Sequence, residues 1–231
     1  MVIVPPSRYY TGLCNLEAAP ERGQDGMARA DVRAAMQERI LETADRLFYG
    51  QGIRAVGVDT IAAEIGISKR TLYNHFPSKD DLIVAYLSRR LKPPPPSDRP
   101  PLEQILGAFD RLERTIATGV FRGCPFVNAV AELKEPAHAA NRIALAFKEQ
   151  RRVWFQALLQ QLGIEDADSL SMQIQILIDG AIAAAIVRGD PKVAAAARDA
   201  ATVLLKAAGV ATSAKPVARF GARHSSGASE S

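Results

Sequence analysis

From about Asp31 onward, apolar side chains return at Met36, Ile40, Leu41, Ala44, Leu47 and Phe48. That is the spacing of one buried helical stripe, and Gly50 and Gly52 punctuate its end. A shorter stripe at Ile61, Ala62 and Ile65 predicts a second helix over about Val58–Ile65, ended by Gly66, which adopts the left-handed backbone without penalty. Ser68 then caps a third helix. Leu72 and Phe76 lie four residues apart and turn to the same inner side, and Pro77 stops the run. Ser78-Lys79-Asp80-Asp81 has the form of a capping box for a fourth helix, which buries Leu82, Ile83, Tyr86 and Leu87 and reaches about Leu91.

The stretch from Lys92 to Pro101 carries six prolines and cannot be helical, so a stiff linker is expected over 93–101. Helical patterning then resumes roughly over Leu102–Thr118, Val127–Lys134, Ala137–Leu162, Ser169–Arg188 and Pro191–Ala208. The third of these places Ile143, Phe147, Trp154, Leu158 and Leu162 on one stripe. Residues 1–26 lack any period and are expected to be disordered, with Met27 as an alternative start. After Gly209 the composition turns to Ser, Ala, Gly and Arg, and a disordered tail is expected over 209–231. The chain thus divides into a small helical domain over 27–92 and a larger one over 102–208.

Composition supports this all-α reading. Of 231 residues 48% are hydrophobic but only 6% aromatic, with helix formers dominant. The net charge of +4 is uneven: residues 27–92 hold 11 Lys and Arg against 8 Asp and Glu, whereas 93–208 is balanced. Two distant cysteines, Cys14 and Cys124, and three histidines offer no metal-ligand spacing, and no phosphate loop or nucleophile elbow is present. An enzyme, a metal and a cofactor are therefore not expected. With no signal-like or membrane-length apolar run, a cytoplasmic protein without a membrane partner is expected.

Two short helices joined by Gly66-Ile67-Ser68 form a helix-turn-helix, whose second member has the diameter to enter the major groove of double-stranded DNA. With Leu72 and Phe76 inward, Lys69, Arg70, Tyr73 and Asn74 fall on the outer face. Lys69 and Arg70 can donate to guanine O6 and N7, and Asn74 can pair with adenine N6 and N7. Ser68, Thr71, Tyr73 and His75 carry donors suited to phosphate oxygens, as does Lys79 in the first turn of the fourth helix.

The string from Arg39 to Leu87 resembles the DNA-binding domain of the TetR/AcrR family of bacterial regulators. The resemblance is carried by Arg39-Ile40-Leu41-Glu42-Thr43-Ala44, Leu47-Phe48, Ile61-Ala62-Ala63-Glu64-Ile65-Gly66-Ile67-Ser68, Thr71-Leu72-Tyr73-Asn74-His75-Phe76 and Ser78-Lys79-Asp80-Asp81-Leu82. Two positions depart from the pattern. Gly57 stands where Ser or Thr usually caps the second helix and touches a phosphate, and Ile53 replaces a common aromatic. The resemblance implies a homodimeric repressor released from a palindromic operator by a small-molecule effector. The alternative is a ligand-independent or activating regulator whose C-terminal domain contacts another protein. Helices rich in small residues over Ile178–Ile186 and Val193–Ala197 suit a two-fold four-helix interface. Candidate effector contacts are Phe109, Phe121, Phe126, Trp154, Phe155 and Asp179, because ligand sites are apolar with a few placed polar groups. The stretch Arg122–Ala129 resembles one subset of the family, and Cys124 within it is left open as a redox or electrophile sensor.

Overall fold

The computed structural model describes residues 24–211, and the expectations for 1–23 and 212–231 lie outside the described residues. Nine helices and no strand form among the described residues: α1 (Gln24–Gln51), α2 (Val58–Ile65), α3 (Lys69–His75), α4 (Lys79–Arg90), α5 (Pro101–Ala117), α6 (Pro125–Leu133), α7 (Ala139–Gln161), α8 (Ala167–Arg188) and α9 (Lys192–Ala207). The all-α class is as the patterning predicts. One correction falls at the start, where residues 24–26 already belong to α1 rather than to an irregular extension. Positions 30–35 are exposed, so a helix there has no buried stripe to reveal it, and Ala and Arg sustain it by propensity.

The terminal chemistry of α2 to α4 is local and legible. Gly66 ends α2 at φ +77°, and its N–H and that of Ile67 close back on Ala63 and Ala62. Ser68 Oγ accepts from Thr71 N at 3.0 Å to start α3, and Ser78 Oγ accepts from Asp81 N at 3.0 Å to start α4. A helix of seven residues is unstable alone. Leu72 and Phe76 hold α3 by burial against α1, α2 and α4, in a cluster that includes Ile40, Leu47, Phe48, Ile61 and Leu82.

That cluster does not stop at the Pro-rich segment. Cys124, Phe126, Ala129, Ala140 and Ala144 from the second half complete it. A second cluster lies between α5, α7, α8 and α9, around Ile105, Phe109, Phe155, Leu159, Ile174 and Leu205. The α7 stripe serves both: Ile143 and Phe147 pack on the first cluster, Trp154, Leu158 and Leu162 on the second.

Helix α4 packs on both α1 and α7 and so joins the two halves. Its last turn is clamped to α1, where Arg90 donates to both Asp45 oxygens, Nε at 2.5 Å and Nη2 at 2.7 Å, under the Tyr49 ring. A fork-to-fork pair of this kind fixes orientation as well as charge. Arg89 adds a pair to Glu38 at 2.6 Å. Nearby, the Tyr49 hydroxyl donates to Gly123 O at 3.1 Å and accepts from Arg122 N at 3.0 Å, tying α1 to the loop before α6. Gly123 has φ +93°, which strains any larger residue, and a Cβ there would also push aside Ile186 Cδ1 of α8, 2.7 Å away.

Candidate nucleic-acid interface

The outward face of α3 follows from its two anchors. Leu72 is fully buried and Phe76 nearly so, and the 100° advance per residue leaves Ser68, Lys69, Arg70, Tyr73 and Asn74 exposed together. Thr71, His75 and Lys79 are only half-buried. The turn after Gly66 sets α3 against α2 as a helix-turn-helix, with α1 behind both. Exposed arginines of α1 brace the arrangement: Arg33 Nη2 donates to Asn74 O at 3.5 Å and Arg39 Nη2 to Ile65 O at 3.4 Å, the carbonyl ends of α3 and α2. Such partners answer the unpaired carbonyls that every helix end leaves.

The candidate base readers differ in readiness. Arg70 and Asn74 have no side-chain partner among the described residues and project freely. Lys69 is engaged, since its Nζ donates to Asp59 Oδ2 at 3.0 Å across the turn. That hydrogen bond, and the attraction between the two charges, hold the ammonium above its ordinary range. A phosphate or base edge would have to compete with Asp59. Replacing Asp59 by Asn is therefore expected to raise DNA affinity severalfold, by freeing Lys69 and removing a carboxylate from the DNA-facing side. Fluorescence anisotropy at fixed salt checks this, and unchanged or falling affinity would take Lys69 out of the contact set.

The candidate phosphate contacts are also graded by their surroundings. Ser68 and Thr71 share a hydroxyl pair at 2.8 Å, and Ser68 already caps α3. The Nδ1 edge of His75 is buried without a partner, so that edge of the ring faces inward. Burial pushes the Lys79 ammonium below its ordinary range, with Asp80 and Glu132 of α6 partly offsetting the cost. Gly57 caps α2 from extended backbone with no side-chain bond, as its lack of a hydroxyl requires. Thr60, one turn into α2 and exposed, carries a hydroxyl 3.9 Å from where a Gly57 Cβ would stand. Sequence reasoning passed over Thr60, Arg33 and Arg39. Thr60 was recoverable from its place in the first turn of α2, the other two only from tertiary packing.

The six candidate effector contacts are not brought to one place. Phe109 and Phe155 lie in the second cluster, Phe126 lies in the first and stacks on Phe147 at 4.1 Å, and Phe121 packs on a third small group with Ile116 and Ala194. Asp179 is paired with Lys148 and accepts from Gln175 at 3.1 Å. Trp154 borders a cavity of about 270 Å³ between the Pro-rich segment and α5. Aromatic type alone does not separate core from pocket, because both bury the same apolar surface.

A helix-turn-helix with an exposed cationic reading face, carried on an all-helical second half, defines a DNA-binding regulator. Residues 40–86 match the family model for "Bacterial regulatory proteins, tetR family". A putative TetR transcriptional regulator from Streptomyces avermitilis is 35% identical, with a TM-score of 0.67, over 74% of this chain and 97% of that one. A TetR-family transcriptional regulator from Streptomyces coelicolor is 33% identical, also with a TM-score of 0.67, over 76% and 96% respectively. The transcriptional activator FasR of Mycolicibacterium smegmatis is 37% identical over 78 residues, 32% of this chain. The match spans only 36% of FasR's own length, so that likeness is confined to a part. The chain belongs to the TetR family of transcriptional regulators. It is a DNA-binding regulator and not an enzyme.

Proposed function

We propose that the protein works as a cytoplasmic homodimer that represses transcription, with Arg70, Asn74 and Lys69 reading bases and Ser68, Thr71, Tyr73, His75, Lys79 and Thr60 holding phosphates. The observation that carries the dimer is an apolar face left open on the last two helices. Met172, Ile176, Gly180, Ala183 and Val187 recur every three or four residues along α8 and are exposed, and Ala196, Ala200 and Val203 continue the face on α9. Ile176 is 60% exposed and Val187 86%. Helix α8 is long and apolar enough to cross a membrane, yet only 33% of its most apolar stretch is buried in one chain. A bilayer is disfavoured by the Lys148–Asp179 ion pair at mid-helix, whereas a second copy covers the apolar face and its small residues allow close approach. Two copies would present two recognition helices to successive major grooves, about 34 Å apart.

In this reading a small-molecule effector releases DNA by moving α4, which is bolted to α1 through Arg89 and Arg90 and packed on α7. A change of a few Å in the separation of the two α3 helices would break simultaneous docking. The alternative, a ligand-blind or activating regulator, draws support from two observations: Phe109, Phe126 and Phe155 fill solid core, and the similar FasR is an activator. Reporter transcription with and without the protein, at an operator placed over or upstream of the promoter, separates the two.

Substitution separates the roles at the interface. Arg70→Ala is expected to cost about 1–3 kcal/mol at the operator and to relax preference at one base position. Lys79→Ala should weaken every sequence alike and flatten the salt slope by about one. Equal effects of both on specificity would contradict the assignment.

A further inference from the structure

The Pro-rich segment is not a free tether. Gln104 Nε2 of α5 donates to Arg99 O at 2.6 Å and to Ser97 O at 3.4 Å, and Arg99 N donates to Ser97 Oγ at 3.3 Å. The segment is thereby folded onto α5, and the space left between them is the cleft of about 270 Å³. Pro95, Pro96 and Trp154 contribute ring faces to its lining, and three arginines, Arg99, Arg111 and Arg114, line it as well.

The cations outnumber the anions there, and the anions are poorly placed to help. Glu103 is exposed, and Asp110 is already drawn off by Arg198 at 3.0 Å. Arg99, Arg111 and Arg114 make no ion pair among the described residues. Arg111 is the most constrained: burial disfavours its charge, Arg114 and Arg99 repel it, and Asp110 alone relieves it. Gly107, one turn earlier, has no side chain, so the Arg111 guanidinium lies 3.7 Å from where a Cβ would be, and the same group stands 6.0 Å from the Trp154 ring centre. An arginine does not shed its proton under ordinary conditions, so an anion is what removes this cost.

We propose that this cleft binds a small aromatic carboxylate, its carboxylate on Arg111 and Arg114 and its ring between Trp154 and Pro95-Pro96. A guanidinium fork matches a carboxylate in a bidentate way. The single excess positive charge suits a monoanion, and a volume just below the usual range of ligand sites suits a one-ring compound. The segment runs directly from Leu91, the end of α4, so a bound ligand would brace the link between the two halves. Service as the effector site rests on the release reading above, whereas occupancy of the cleft does not.

Trp154 is the sole tryptophan, so indole fluorescence comes from the one such ring, which borders this cleft. The full chain is titrated with benzoate and phenylacetate, and in parallel with neutral benzamide and inorganic phosphate. The expected result is a saturable change with a carboxylate, at least about tenfold weaker with benzamide and phosphate, and weakened at least about tenfold in Arg111→Gln. Arg114→Gln, at an exposed position, should act in the same direction should Arg111→Gln melt early. No saturable change with either carboxylate, equal binding of benzamide, or wild-type binding by both variants would overturn the site. Tighter binding of phosphate would overturn the carboxylate assignment. Operator affinity is measured in the same samples: carboxylate binding that leaves it unchanged upholds the site and overturns its effector role.

Discussion

Ile176→Glu is expected to yield a folded monomer whose operator affinity falls by about 10²- to 10⁴-fold, the avidity lost when two linked contacts become one. Ile176 is 60% exposed in the single chain, so a glutamate there meets water and leaves the buried face of α8 intact. In a two-fold pair it would set two carboxylates into an apolar seam formed with Met172, Ala183 and Val187, where unpaired charge is severely penalised. Light scattering on the eluting protein gives the oligomeric state, and melting shows that the fold is kept. A variant that remains dimeric and binds normally would place the interface elsewhere.

Leu72→Ala is expected to remove about 2–5 kcal/mol of stability, the range for emptying a buried leucine site, and with it binding to all DNA. Leu72 is fully buried at the centre of α3, in the first cluster together with Ile40, Ile61 and Leu82. Seven residues cannot hold a helix without that anchor, so the reading face would lose its shape. Arg70→Ala, by contrast, touches only an exposed side chain and should melt as the wild type does while losing specificity. Denaturant unfolding beside DNA binding for both variants makes the distinction. A stable Leu72→Ala protein with normal affinity would mean that α3 is held otherwise.

The parts of the fold legible in the sequence were those set by neighbours along the chain. Val58–Ile65, its Gly66 terminator and the Ser68 and Ser78 caps depend on residues three or four apart, and each stands as patterning predicts. Where no face is buried, as at residues 30–35, periodicity carries no signal, and α1 begins earlier, at Gln24, than the patterning predicts. Contacts across long separations were out of reach. Nothing in spacing reveals that Asp59 holds Lys69, that Tyr49 meets Gly123, or that Cys124 and Phe126 complete the core beneath the helix-turn-helix. The effector candidates show the same limit. Phe109, Phe126 and Phe155 were chosen for residue type, and burial placed them in two separate clusters, while Arg111 and Arg114, unremarkable in sequence, share a cleft with Trp154.

The exposed face of α3 is fixed by Leu72 and Phe76, and in the proposed dimer the open face of α8 and α9 doubles it. Selection of binding sites from a random DNA pool tests it most directly, first with the full chain and then with Arg70→Ala. Two inverted half-sites are expected, their centres one helical turn, about 10 base pairs, or a multiple of it apart, with one position per half-site losing its preference in the variant. A single unrepeated half-site, or an identical preference in both proteins, would contradict it.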